Sequence, residues 1–248
     1  MVKINSDLSD HQNFNFDNTK TIICIGFFDG FHKIHQKIIQ KTKTLAIQEN
    51  KKSIVITFSQ KVNDFLKKIN NNIQSQKIKY KLIEDNVNPD YLLEIQVNNH
   101  TLMISPNDFC NFLLNKLNAS KIIVGSDFKF GYMGKGNADF LKQYFGSENI
   151  IIFKRNKDIS STQLKNLFEQ GEIKKLNKLL NYNFLLEIKR ESDNIYLIDK
   201  ISIKLANGKY KINILNQSYI VNIINNSIFF NEITNFNKEI IEILEKIE

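Results

Sequence analysis

The chain has 248 residues, 42% of them hydrophobic, which suits one large domain, or an ordinary domain with a small companion, and suffices to bury a core. Its apolar runs reach five to seven residues, against the ~20 that cross a bilayer, and residues 1–20 are polar with no apolar signal segment, so membrane proteins are excluded and the cytoplasm is expected. A formal charge of +8 arises from 34 basic against 26 acidic residues, but the lysines are spread along the chain and only Arg155 and Arg190 are arginine, which predicts attraction for small anions and no dedicated nucleic-acid surface.

Residues 1–20, rich in Asn and Asp, are expected to form a leading segment laid on the surface. Thr21-Ile22-Ile23-Cys24-Ile25 is apolar and mostly β-branched, as a central strand requires, and Gly26 and Gly30 let the chain turn at its end. Beyond Gly30 the period changes. Ile34, Ile38, Ile39, Leu45 and Ala46 recur at helical spacing to about Glu49. A helix start after a parallel strand offers backbone N–H groups and a positive dipole end to phosphate, and His32 and His35, three residues apart, lie on one side of that first turn. Both imidazoles can therefore donate to one phosphoryl group as it gains charge.

Ser53 to Phe58 is a second compact β-branched strand, and the Lys/Asn/Gln-rich stretch to Lys81 is expected to be a loop with one short helix near Asp64 to Ile69. Tyr91 to Val97 is the next strand. Ser105-Pro106-Asn107-Asp108 supplies a helix N-cap, a proline at the first position and an acid three residues after the cap, followed by an apolar stripe of Phe109, Phe112, Leu113 and Leu117. Lys121 to Gly125 is a fourth strand. It enters Ser126 to Gly136, where residues 125–136 hold four of the nine glycines, the mark of a loop that turns tightly or approaches a ligand. Asn149 to Lys154 is the fifth strand, followed by Ile159-Ser160-Ser161-Thr162-Gln163-Leu164-Lys165, where hydroxyls at a helix start and a cation one turn on make a triphosphate grip. A helix over Glu172 to Leu180 closes the first domain. Five strands alternating with helices predict a parallel sheet covered on both faces.

From Phe184 the pattern becomes β-like, with strands at Phe184 to Ile188, Ile195 to Ile203, Lys209 to Leu215 and Tyr219 to Ile224. Ile240, Ile243, Leu244 and Ile247 share one face of an expected terminal helix. Cys24 and Cys110 are expected to be buried free thiols, and His11, His32, His35 and His100 do not assemble a zinc site.

The segment Gly26-Phe27-Phe28-Asp29-Gly30-Phe31-His32-Lys33-Ile34-His35 resembles the H-x-G-H nucleotidyltransferase signature, in the form G-N-F-D-G-x-H-x-G-H of bacterial riboflavin kinase/FAD synthetases. Phe27 replaces the family Asn and Ile34 the Gly between the histidines. Two further segments match in order: Val124-Gly125-Ser126-Asp127-Phe128-Lys129-Phe130-Gly131 resembles V-G-x-D-F-x-F-G, and Ile159 to Lys165 resembles I-S-S-T-x-I-R, with Lys165 for Arg. Thr57-Phe58-Ser59-Gln60 stands where relatives carry T-F-x-P. The resemblance implies a Rossmann-like nucleotidyltransferase over residues 1–183, of α/β class with a parallel sheet, and a small C-terminal β-rich domain over 184–248, a degenerate riboflavin kinase barrel without G-F-P-T-A-N. Only Leu205 to Tyr210 is similar to that kinase region.

By the same resemblance the substrates are ATP and FMN and the products FAD and pyrophosphate. His32, His35 and Lys165 are the catalytic residues, and Gly26, Phe28, Asp29, Gly30, Asp127, Phe128, Ser161 and Thr162 bind the ligands. Magnesium accompanies ATP, with Asp29 or Asp127 as its candidate neighbour. Two alternatives stand beside this: another phosphorylated acceptor, or a flavin or nucleotide binder without turnover.

Overall fold

The structure is a computed structural model that describes residues 1–9, 14, 16, 19–154, 160–199, 203–232 and 236–248. His11, Arg155 and Ile159 lie outside the described residues, and the strand expected over 195–203 is described to Asp199 and again from Ile203.

In chain order the first half comprises β1 (Val2–Ser6), β2 (Thr21–Ile25), a 3-10 turn at Asp29–Phe31, α1 (Lys33–Gln48), β3 (Lys52–Phe58), α2 (Val62–Lys67), α3 (Gln76–Asn86), β4 (Tyr91–Ile95), α4 (Asn99–Met103) and α5 (Pro106–Asn111) running into a π-helical turn at Phe112–Lys116. There follow β5 (Ala119–Gly125), the short hairpin of β6 (Lys129–Phe130) and β7 (Gly136–Asn137), α6 (Ala138–Phe145), β8 (Ile150–Phe153), α7 (Ser161–Glu169) and α8 (Ile173–Leu180). The elements of the C-terminal part are, among the described residues, the strands β9 (Phe184–Arg190), β10 (Ile195–Asp199), β11 (Gly208–Ile214), β12 (Gln217–Ile224), β13 (Ser227–Phe229) and β14 (Lys238–Lys246). No helix among the described residues is long and apolar enough to cross a membrane.

The chain gathers into two compact units. The first is Met1–Phe28, Ile34–Ile69 and Ile83–Arg155; the second is Asp29–Lys33, Asn70–Leu82 and Asn156–Glu248.

The first unit is built on a parallel sheet of six strands in the order β1-β4-β3-β2-β5-β8. Strand β2 is buried along its whole length, as a central strand with both faces covered must be, and its β-branched run suits that place. From β2 the chain lays β3 and β4 outward on one side and then crosses to lay β5 and β8 on the other, so the order reverses between β2 and β5. In open α/β sheets ligands bind beyond the carboxyl ends of the strands at such a reversal. Two expectations need correction here. The start of the chain is not merely surface: β1 pairs in parallel with β4 from Val2 opposite Tyr91 to Ser6 opposite Ile95. As a largely exposed edge strand it carries no apolar run that would announce it. The stretch before Lys81 holds, besides α2, the helix α3, whose Ile78, Leu82 and Ile83 are buried. Ser105 caps α5 by accepting the Asp108 N–H at 3.1 Å, with Pro106 at the first position. Cys24 and Cys110 are free and buried, and burial pushes both thiols up to about 12.

The second unit contains a closed six-stranded barrel, β10-β13-β12-β11-β14-β9, every pair antiparallel. Alternate residues point inward, among them Tyr210, Ile212 and Ile214 on β11 and Val221 and Ile223 on β12, and they pack with Leu164, Phe168, Leu176 and Leu180 of α7 and α8. The expected terminal helix is a strand. β14 lies between β9 and β11, Ile241 and Ile243 are its fully buried residues, and Ile247 is 43% exposed. The apolar residues at helical spacing were a coincidence of composition; the pairing partners decide the period. Without β14 both β9 and β11 would present open edges.

Candidate active site

The described motif residues occupy the turn after β2 and the start of α1, the turn after β5, and the first two turns of α7. After β2, Gly26 donates its N–H to the Ile56 carbonyl at 3.1 Å, and a Cβ at that position would stand 2.8 Å from the Phe28 ring. The backbone then passes through positive φ at Phe28 (+56°), Gly30 (+70°) and Phe31 (+34°). Such conformations in bulky residues cost roughly 1–2 kcal/mol each and gather where a site must be shaped. The turn ends at His32, the residue before α1, and His35 is the third residue of that helix.

Within the first unit, the Phe28 ring stands edge-on to the His35 imidazole, centroids 5.4 Å apart and planes 86° apart, which fixes the side chain of a first-turn histidine. Phe27, where relatives carry Asn, is accommodated from two sides. Its carbonyl accepts the Thr57 hydroxyl at 3.1 Å, and the Lys61 ammonium sits 5.2 Å above its ring. Because β2 pairs with β5, Cys24 opposite Ile123, the turns beginning at Gly26 and Ser126 leave the same edge of the sheet at the order reversal.

The loop after β5 is pinned. Phe128 donates its N–H to the Gly125 carbonyl at 3.1 Å and stacks on Phe130 at 5.6 Å, while the Tyr132 N–H reaches the Ile104 carbonyl at 2.6 Å. Gly131 (φ +70°) passes so near α5 that a Cβ would be 2.8 Å from the Pro106 nitrogen. Asp127 is exposed, and a Cβ on Gly125 would lie 3.1 Å from its Oδ1. Tight backbone approach thus explains Gly131.

In the second unit the turn bearing Asp29, Gly30 and His32 meets α7. A Cβ on Gly30 would be 3.2 Å from Leu164 Cδ1 and 3.4 Å from Ile73 Cδ1, so glycine there permits the contact. Asp29 and His32 are buried, at 4% and 7% exposure, and the Asp29 carboxylate accepts the Ile73 N–H at 3.0 Å. Ser160 is the N-cap of α7, accepting the Gln163 N–H at 3.2 Å, so the cap falls to the serine before the two expected to bind ligand. Ser161 and Thr162 open the helix, and the Lys165 ammonium donates to Asn71 Oδ1 at 3.3 Å. Within the second unit Gly30 of the first motif thus meets Leu164 of the third, and within the first unit the turns beginning at Gly26 and Ser126 share one edge of the sheet.

Two participants carried no motif. Residues 70–75 form a strap fastened to Asp29 and Lys165, and Tyr182 donates its hydroxyl to the Gly30 carbonyl at 3.0 Å. The strap falls in an Asn-rich stretch with no periodicity, and nothing in the sequence near Tyr182 distinguishes it from other tyrosines. Among the described residues no group of three or more His, Cys, Asp or Glu is placed to hold a metal ion.

A family model described as FAD synthetase matches residues 15–163. The bifunctional riboflavin kinase/FMN adenylyltransferase of Buchnera aphidicola subsp. Acyrthosiphon pisum is 31% identical over 175 residues, covering 67% of this chain and 56% of that protein. The FAD synthetase of Listeria monocytogenes serovar 1/2a is 26% identical over 178 residues, 68% of this chain and 71% of that one. This chain spans about half the length of the bifunctional relatives, 56% of the Buchnera protein. A crystal structure named as a macrolide-efflux protein from Streptococcus pneumoniae matches with a TM-score of 0.83 and 18% identity over 100% of this chain and 91% of that one, a likeness of fold alone. With the family model covering more than half of its length, the chain belongs to the FAD synthetase family.

Proposed function

We propose that this protein transfers the adenylyl group of ATP to FMN, giving FAD and pyrophosphate, and that it does not phosphorylate riboflavin. The observation that carries the reading is the seating of Gly30 on Leu164, which packs the turn bearing His32 onto the helix bearing Ser161, Thr162 and Lys165. A phosphate oxygen of FMN attacks the α-phosphorus of ATP in line as the bond to the bridging oxygen breaks, and pyrophosphate leaves with that bonding pair. His32 and His35 donate to the non-bridging oxygens as charge builds on them. The backbone N–H groups at the start of α7, the hydroxyls of Ser161 and Thr162, and the Lys165 ammonium receive the departing pyrophosphate. Lys165 supplies a point charge where the family has an arginine fork, and its bond to Asn71 restricts where that charge sits.

Gly26, Phe28, Asp127 and Phe128 would line the nucleotide and flavin side at the strand-order reversal. Magnesium enters bound to the phosphates of ATP, as that ion prefers few protein ligands. Asp127, exposed, is the carboxylate suited to meet it, whereas buried Asp29 serves the Ile73 N–H. The reaction belongs in the cytoplasm with its two small-molecule substrates. Purified protein is incubated with ATP and magnesium and either FMN or riboflavin, and the flavins are separated by chromatography. FAD from FMN alone is the expected result; FMN formed from riboflavin, or no FAD from folded protein, contradicts the reading.

A further inference from the structure

Tyr182 lies in the connector between α8 and β9, past residue 163 where the family match ends, yet its hydroxyl reaches the Gly30 carbonyl at 3.0 Å and Gln74 Oε1 at 3.1 Å. Gln74 in turn donates its amide to the Leu185 carbonyl on β9 at 3.4 Å, and the neighbouring Ser75 hydroxyl bonds Glu187 on the same strand. Gln74, Ser75 and Glu187 are buried, at 3%, 4% and 1% exposure. The turn that precedes His32 is thus tied to the first barrel strand by a short chain of polar contacts, all within the second unit.

We propose that Tyr182 is a positioning residue for adenylyl transfer: by donating to the Gly30 carbonyl it holds the strained turn, and hence His32, in the geometry that meets the α-phosphate. This rests on the proposed function. Gly30 and Phe31 have positive φ and Gly30 sits between Leu164 and Ile73, so the turn has no regular ladder of its own to fix it. A hydroxyl donor on a ring anchored in the second unit supplies what the local sequence lacks. Burial pushes the phenol upward, and the Asp29 charge adds to that against the Gln74 bond, so the hydroxyl keeps its proton across the working pH range. The segment beyond the family match then contributes to the reaction through Tyr182.

The test compares Tyr182→Phe with Tyr196→Phe. Tyr196, on β10, also donates its hydroxyl to a backbone carbonyl, that of Phe236 before β14, at 2.8 Å. Both changes keep the ring, and both variants are assayed at a temperature where circular dichroism shows them folded. Tyr182→Phe should lower kcat about tenfold or more with the KM values for ATP and FMN within about twofold, the signature of a misplaced group and not of weakened binding. It should also displace the imidazole resonance of His32, assigned by its loss in His32→Ala. Tyr196→Phe should do neither. An unchanged kcat and an unmoved His32 resonance in Tyr182→Phe, or equal losses in the two variants, would overturn the proposal. If the wild type makes no FAD the proposed function fails, and the resonance alone then decides: displacement supports the tether and no displacement refutes it.

Discussion

The carboxylate of Asp29 and the backbone N–H of Ile73 are bonded at 3.0 Å across 44 residues of chain, both buried. A residue at the centre of the nucleotidyltransferase motif therefore also closes the strap formed by residues 70–75. Asn keeps an acceptor oxygen in the same place and Ala does not. Asp29→Ala should cost about 1–3 kcal/mol by stranding a buried donor, while Asp29→Asn should cost much less. Chemical denaturation of the two variants reads the difference, and equal losses would mean that the carboxylate's charge, not its acceptor, is what the strap needs.

Asp90 gives the first unit a measurable pH dependence. Burial pushes its carboxyl up, but hydrogen bonds from the Ser53 hydroxyl and N–H, at 2.6 and 2.8 Å, and from Lys43 at 3.2 Å outweigh that and hold it below the ordinary 3.8. A carboxyl lowered on folding stabilises the fold above its unfolded pKa, and the contribution is lost as pH falls through the folded value. The stability gap between wild type and Asp90→Asn should therefore be constant above pH ~5 and should close in more acid solution. A gap that widens on acidification would reverse the sign of the argument.

The last element separates two periodicities. As a strand, β14 buries Ile241 and Ile243, and Ile247 is 43% exposed. Ile241→Ala and Ile243→Ala should each cost about 2–5 kcal/mol, and Ile247→Ala roughly 0.5 kcal/mol or less. Comparable losses at Ile240, Ile243 and Ile247, with Ile241 tolerant, would restore the helix.

These cases show what the sequence carries. The run Thr21 to Ile25 declares itself because a strand buried on both faces must be apolar throughout. β1 is hidden because an edge strand with exposed residues has no such requirement, and its pairing with β4 is supplied by a partner 89 residues away, Tyr91 opposite Val2. β14 misleads because Ile240, Ile243, Leu244 and Ile247 fit a helix while its neighbours β9 and β11 impose period two. The candidate site divides in the same way. His32 and Asp127 stand in turns after strands and His35, Ser161, Thr162 and Lys165 near the starts of helices, where residue type follows chemistry. Tyr182 is 152 residues from Gly30, and its part in the turn exists only once the chain has folded.

The central claim is that the α-phosphorus of ATP passes to FMN under the two histidines of the motif. Protein is given FMN, magnesium and ATP labelled at the α-phosphorus or at the γ-phosphorus, and the labelled products are separated. The account predicts α-label in FAD and γ-label in pyrophosphate, with the rate falling roughly 10²–10³-fold in His32→Ala and again in His35→Ala. Transfer of γ-label to a flavin, or FAD formation at an undiminished rate in the histidine variants, would contradict it.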